Sequence, residues 1–422
     1  MLVLISDLHL HDQTALFHNV TAKQFRDFWH NINRTRRQLL PLRKKNIPRI
    51  HLILLGDILD LIRSSEWNDP KNNNIKPWDG PCEEQKQVLS KIISRILRVN
   101  KDALDVLRKF AASKHVQISY MVGNHDHHLL RYPSLFNKVH EELGLAYPQD
   151  PKTINFYENF WPEYGVFAHH GDRNDPWNNT RGVLPPIGEA LVTEVYNRFP
   201  QVVAKAVSGG DRLKRALEDL VYVRPYRVAP FYVIQTTRQY GEEEAVKNAW
   251  NQLIEEFLEM DHVKNWIQES RKISNFLNYA RALKTTLRIS HRLEFKRWLS
   301  VLRITHLIRT AFSVESPAII QIRKQLQEIE DPRIRYLVNG HTHSPGVLAL
   351  GKDKGHRIAY INTGTWTRTL LPDRLGPLEP ADSPLMKFSP GDFISYSLFY
   401  TREENPACDM EFWSGRINPR EN

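Results

Sequence analysis

Cysteine is scarce in this sequence: Cys82 and Cys408 are the only two in 422 residues. One pair cannot supply a disulfide framework, and neither cysteine has a neighbour suited to metal ligation, so a disulfide-stapled scaffold is excluded and a reducing compartment is expected. No apolar run approaches the roughly 18 residues that a membrane-spanning helix needs. The opening Met1-Leu2-Val3-Leu4-Ile5 carries no basic residue, and Asp7 and His9 interrupt it at once. It reads as a strand and not as a signal peptide. These absences make a cytoplasmic location the expectation. There is no internal repeat and no low-complexity tract, which sets repeat and fibrous architectures aside.

Hydrophobic residues make up 41% of the chain, enough to build a sizeable core. The length suits one large α/β domain carrying an insertion, or two domains. Lys and Arg number 58 against 48 Asp and Glu, a net charge of +10. Such a surface favours anionic partners: phosphorylated metabolites, nucleic acid or nucleotide, or an anionic lipid surface.

Along the chain, short apolar runs alternate with helical periodicity. Leu2 to Ser6, Ile50 to Leu55 and Val116 to Val122 read as buried strands. Helices are expected over 21–40, with Phe25, Phe28, Trp29 and Ile32 at helical spacing and Pro41 as the stop, over 83–112, and over 133–143. Residues 153–157 and 164–169 read as two more strands. From about 185 to 332 the strands give way to helical periodicity. They return at 336–338, 347–350, 358–361 and 393–400, with a Pro-rich surface loop expected over 371–391. The expected architecture is therefore layered α/β, with residues 1–184 and 333–422 forming one domain and 185–332 a helical insertion.

A polar cluster follows nearly every early strand: Asp7-Leu8-His9, Gly56-Asp57, Gly123-Asn124-His125-Asp126, His169-His170-Gly171-Asp172 and Gly340-His341-Thr342-His343. Taken singly, each is most simply a turn. Together they fall at one kind of place, just beyond the carboxyl ends of strands, where open α/β sheets put their ligands. Pooled, Asp7, His9, Asp57, Asn124, His170, His341 and His343 offer carboxylate, amide and imidazole donors. That mixture suits manganese, iron, zinc, nickel or cobalt better than calcium. Seven donors are too many for one transition metal and fit two, provided a carboxylate bridges them. Asp57, alone at the end of a central apolar strand, is the expected bridge.

In this order the five blocks resemble the signature of the calcineurin-like metallophosphoesterase superfamily, matching Asp7-X-His9, Gly56-Asp57-X-X-Asp60, Gly123-Asn124-His125-Asp126, His170-Gly171 and Gly340-His341-X-His343. The resemblance covers residues 1–172 and about 335–366. It implies a four-layer αββα sandwich and two divalent ions, manganese first among them. Asp7, His9 and His343 would hold one ion, Asn124, His170 and His341 the other, with Asp57 between. It implies a phosphoester hydrolase in which a hydroxide between the ions attacks phosphorus. His125 would act as general acid, oriented by Asp126. Asp60 would stand behind the ligands, and Asn362 and Thr363 would support the site.

The insertion falls between two ligand blocks. Its window Lys264 to Arg309 holds 11 Lys and Arg against two Glu, interleaved with Trp266, Phe276, Tyr279, Phe295 and Trp298. Amphipathic helices packing these aromatics inward are one reading; a basic cap over the site is the other. Such a cap suits nucleic acid or nucleotide, or a phospholipid-like molecule. The UDP-2,3-diacylglucosamine pyrophosphatase branch of the superfamily is similar in placing a helical insertion before the last His block. It differs in having Arg where this chain has His125, and a shorter insertion. The leading expectation is a phosphodiesterase, with a nuclease, a UDP-sugar lipid pyrophosphatase and a non-catalytic nucleic-acid-binding or scaffold protein as alternatives.

Overall fold

A computed structural model describes residues 1–39, 49–72, 75–145, 155–175, 177–182, 185–207, 210–224, 229–270, 322–323, 331–353, 356–372 and 388–417. The protein is mixed α/β with two mixed sheets. Alternation within the first strands explains why. In β1 (Leu2–Ile5) and β2 (Ile50–Leu55) every residue but His51 is buried. Side chains of a strand point alternately to opposite faces, so a strand apolar on both must be covered on both. Leu2, Leu4, Ile53 and Leu55 face one core, and Val3, Ile5, Leu52 and Leu54 face another.

The second of these cores is closed by helices: α1 (Ala22–Leu39), α2 (Glu83–Val99), α3 (Lys101–Ala111) and, after β3 (Val116–Met121), α4 (Pro133–Leu143). The first is closed by a second sheet, built from β4 (Glu158–Trp161), β5 (Val166–His169), β6 (Tyr336–Asn339), β7 (Gly346–Asp353) and β8 (His356–Asn362). Trp161, Val166, Ala168, Val338 and Ile361 from that sheet meet Leu2, Leu4, Ile53 and Met121 from the other. Between β5 and β6 the described chain is helical: α5 (Ile187–Leu191), α6 (Phe199–Ala206), α7 (Asp211–Glu218), α8 (Ala229–Tyr240), α9 (Glu243–Glu259) and α10 (Asp261–Ser270). These helices have their own apolar core, including Phe199, Trp250, Phe257 and Trp266. The chain closes with β9 (Arg368–Pro372), β10 (Phe388–Phe399) and β11 (Met410–Ile417).

The first sheet runs β11-β10-β1-β2-β3, with β9 also paired to β10. The second runs β4-β5-β6-β8-β7. β1, β2 and β3 are mutually parallel, as are β5, β6 and β8. β5 and β6 are direct neighbours, so the chain leaves the sheet into the helical segment and returns beside its point of departure. No helix among the described residues is long and apolar enough to cross a membrane.

Several expected boundaries shift. The helix expected over 83–112 is two helices, because Asn100 closes the first with bonds to the Ile96 carbonyl and sends its side-chain amide to His11 O. Asn competes for backbone groups in this way, which is why it favours helix ends. The strand expected over 153–157 lies instead at β4: Asn155 Oδ1 accepts from the Tyr157 and Glu158 amides and makes a turn there. The next strand starts at Val166, after a turn in which Gly165 takes φ 66°. The Pro-rich loop is shorter than expected, since Leu371 pairs with Ser389 in a β9–β10 ladder; 373–387 lie outside the described residues. Trp266 packs inward, while Phe276, Tyr279, Phe295 and Trp298 lie outside the described residues. Helical periodicity there rests on Ile273, Leu277, Ala280, Leu287, Leu299, Leu302 and His306, which lie outside them as well.

Trp366 joins the sheet to α1. It is 1% exposed, packs against Phe25 and Phe28 at ring-centroid distances of 5.2 and 5.0 Å, and donates Nε1–H to Ser395 O at 2.8 Å. Trp366→Ala removes this packing and leaves a cavity, an expected loss of about 3–5 kcal/mol. Chemical denaturation measures it; a loss under about 1 kcal/mol would show that the site collapses around the gap.

Candidate metal centre

Five of the parallel strands deliver their polar residues within four positions of their last residue. Asp7 and His9 follow β1, Asp57 follows β2, Asn124 follows β3, His170 follows β5 and His341 follows β6. Backbone bonds continue past the strands: Asp7 N–H donates to Gly56 O at 3.1 Å and His9 N–H to Asp57 O at 2.9 Å. Asp7, His9, Asp57, His341 and His343 all take positive φ, between 44° and 68°. For residues with a Cβ this costs on the order of 1–3 kcal/mol each and persists only where surroundings enforce it. The turns bring side chains against bare backbone. A Cβ on Gly123 would sit 2.3 Å from Asp57 Oδ1, and one on Gly340 would sit 2.3 Å from Asp7 Oδ2. No other residue type fits at either place.

All seven expected donors come together. His343 Nε2 lies 3.2 Å from Asp7 Oδ1, and His9 Nε2 lies 3.0 Å from His343 Nε2. Asp57 Oδ2 sits between His9 Nε2 at 3.6 Å and His170 Nε2 at 3.1 Å. His341 Nδ1 is 2.9 Å from Asn124 Oδ1. Asp7, His9 and His343 form one group able to hold a cation, and Asp57, His170 and His341 another.

The donor set fits ions at the level of tautomers. A neutral imidazole has one N–H and one lone pair, so whichever nitrogen donates fixes the other as a ligand. His9 Nδ1 donates to Asp60 Oδ2 at 3.1 Å, and His170 Nδ1 to the Leu55 carbonyl at 2.9 Å. His341 Nε2 donates to Asp175 Oδ2 at 3.0 Å. In each ring the remaining nitrogen faces inward. His343 is the exception: its Nδ1 accepts from Arg224 Nη2 at 2.9 Å. In that arrangement the His343 proton is on Nε2, and ligation through Nε2 requires Arg224 to give up this contact.

Asp60 stands behind two of the candidate imidazoles. One oxygen takes His9, the other takes His125 Nδ1 at 2.8 Å, and Arg63 closes the group from the far side at 3.4 Å. Burial pushes its carboxyl up, but His125 and Arg63 outweigh that and hold it well below the usual range. The role given to Asp126 is therefore corrected. The carboxylate that orients His125 is Asp60, because Asp126 turns away and accepts from Ile58 N–H at 2.9 Å, Gly123 N–H at 2.6 Å and Tyr120 O–H at 2.7 Å. It braces the loop. Burial and the Asp57 charge push its carboxyl up to about 7, against those three donors.

Asn362 and Thr363 do support the site: Asn362 Nδ2 donates to Gly340 O at 2.6 Å, and Thr363 Oγ1 is 2.6 Å from Ser6 Oγ, which in turn donates to Asp7. Asp175 and Arg224 escaped the sequence reading. Asp175 had a local signal, a carboxylate five residues past His170 in the same loop. Arg224 had none, since it arrives from the helical segment. No family model matches this chain, and no curated protein matches it.

Two expectations follow. Asp175 fixes the His341 tautomer, so Asp175→Ala weakens metal affinity about 10–100-fold with the fold intact. Competition with a chelator measures this, and unchanged affinity would remove Asp175 from the role. The second concerns protons. Burial lowers the His9 pKa, but Asp60, Asp7 and Asp57 overcome it and push the group up to about 9. His170 is likewise raised against burial, by Asp57 and Asp7. An ion bound here would have to displace protons held in this way. Metal affinity should climb as pH rises toward about 9, with proton release seen as a buffer-dependent enthalpy in calorimetry.

Proposed function

We propose that the protein is a two-metal phosphoesterase of the calcineurin-like kind, most specifically a phosphodiesterase. One observation carries this: imidazole Nε2 atoms of His9 and His170 converge on Asp57 from both sides while a further imidazole, His125, stands beside it with its own carboxylate. Asp7, His9 and His343 would hold one ion, Asn124, His170 and His341 the other, with Asp57 shared. Manganese is the first choice for this mixed donor set, with iron, zinc, nickel or cobalt as alternatives. Ions so held would supply Lewis-acid neutralisation of phosphate oxygens and an acidified water. The four-layer αββα sandwich belongs to the same reading. It is supported by the two sheets meeting across one core, by α1 to α4 on the outer face of the first, and by Ile322 packed with Leu337 and Ile358 on the outer face of the second.

The chain's own residues then divide the work. Asp60 accepts the Nδ1 proton of His125, which points Nε2 away from it and stabilises the charged ring. Burial lowers the His125 pKa, opposed by Asp60 and Asp57, so the ring gives up its proton readily. A proton delivered from Nε2 to the departing oxygen is general acid catalysis, worth about 10²–10⁴-fold. Arg224, buried and 2.9 Å from His343, is a cation beside the site. Released from His343, it can pair with a phosphate oxygen, and a guanidinium matches phosphate geometry.

Turnover of bis-nitrophenyl phosphate, nitrophenyl phosphate, cyclic nucleotides, nucleic acids and UDP-sugar lipids, each with Mn, Ni, Zn and Mg, tests this reading. Diester turnover is expected, and no turnover of any phosphoester with any metal would sink it. Within that activity, His125→Ala keeps its metal and loses about 10²-fold or more on substrates with poor leaving groups, far more than on nitrophenyl esters. Equal loss on both removes His125 from the acid role.

A further inference from the structure

Beyond the centre, a second buried group of ligating side chains has no part in the chemistry proposed above. It is formed by His127 and His128, on the turn that follows Asp126, and Glu189 of α5. All three are more than nine-tenths buried, at 6%, 0% and 2% exposure. His128 Nε2 lies 3.1 Å from Glu189 Oε1, and His127 Nε2 lies 3.4 Å from the same atom. Yet neither Glu189 oxygen has a hydrogen-bond partner, and neither has either ring nitrogen of His128. These atoms lie close enough together to ligate one shared ion. The His127 tautomer agrees: its Nδ1 donates to the Asn124 carbonyl at 3.0 Å, so its Nε2 presents a lone pair toward Glu189. The arrangement repeats, at another place, the outward-donating and inward-facing imidazoles of the candidate metal centre.

An unpartnered buried carboxylate is among the most unfavourable groups a core can hold, and it persists where something compensates its charge. Two neutral imidazoles do not, and the Arg131 charge that also acts on Glu189 reaches it without a hydrogen bond. We propose that His127, His128 and Glu189 bind a separate divalent transition ion of the zinc class, which fastens the helical segment to the loop carrying Asn124 and His125. Two imidazoles and one carboxylate suit zinc, and they leave a fourth tetrahedral position for water or a further ring. His262 is a candidate for that position. It stacks on Trp78 at 5.1 Å, its Nε2 is buried without a hydrogen-bond partner, and its ring feels the Glu189 charge. Ligands on both sides of the junction make the ion a clasp, since Glu189 belongs to the helical segment and both histidines to the strand-end loop. This site stands or falls independently of phosphoesterase activity.

The full chain is loaded with zinc, freed of excess by gel filtration, and its metal counted by plasma mass spectrometry. In an Asp57→Ala background, which disables the proposed catalytic pair, about one equivalent per chain is expected to remain, and Glu189→Gln added to it removes that equivalent. A count that Glu189→Gln leaves unchanged overturns the proposal. Should the variant not fold, anomalous scattering at the zinc edge from wild-type crystals decides. A peak bounded by His127, His128 and Glu189 supports the clasp, and no peak there overturns it. An absence of phosphoester turnover leaves both readouts intact, so the two readings fail separately.

Discussion

An imidazole can offer a lone pair inward only while its other nitrogen donates outward, and the candidate metal centre depends on that constraint. Asp60, Asp175 and the Leu55 carbonyl each receive such an outward proton. The acceptors lie on two segments, the end of β2 with its following loop and the loop after β5, so the ligand set exists only once both sheets have met. Asp60 is the most consequential of them. It accepts from His9 and His125 through separate oxygens, and so couples a ligand to the group proposed as acid. A change at Asp60 cannot affect one without the other.

The same centre stores strain. Five of the site residues hold positive φ, and two glycines admit side-chain oxygens to distances no Cβ would allow. Buried carboxylates and imidazoles crowded this way compensate one another's charge in part, as the opposed shifts of Asp60 and His9 show. Such a site is supported by its surroundings, chiefly the Trp366 packing and the Thr365 and Trp366 bonds to Asp7 O.

How much of this the sequence made legible follows from where each residue sits. The seven donors were readable because each lies within a few positions of an apolar run, and strand ends are where α/β sheets gather ligands. Their partners were mostly not. The resemblance put Asp126 behind His125, but a turn aims neighbouring side chains apart, and the carboxylate in place is Asp60 from the loop after β2. Arg224 and Glu189 approach from a segment whose helical periodicity says nothing about where it docks. Asn100 split a helix by a side-chain bond to His11 O that local pattern does not encode.

The helical segment therefore cannot be treated as an appendage to a finished site. Arg224, just past its α7, reaches His343 on one flank, and Glu189 of α5 reaches His127 and His128 on the other. Arg224 N–H also bonds Leu370 O at 3.0 Å, and Asn197 Nδ2 bonds Ile62 O at 3.2 Å. Those contacts fix its start and middle against β9 and the loop after β2. A segment anchored at both flanks of the centre presents Arg224 at a set position. If the guanidinium exchanges His343 for an anionic substrate, its reach is then decided by that anchoring and not by free diffusion of a long side chain.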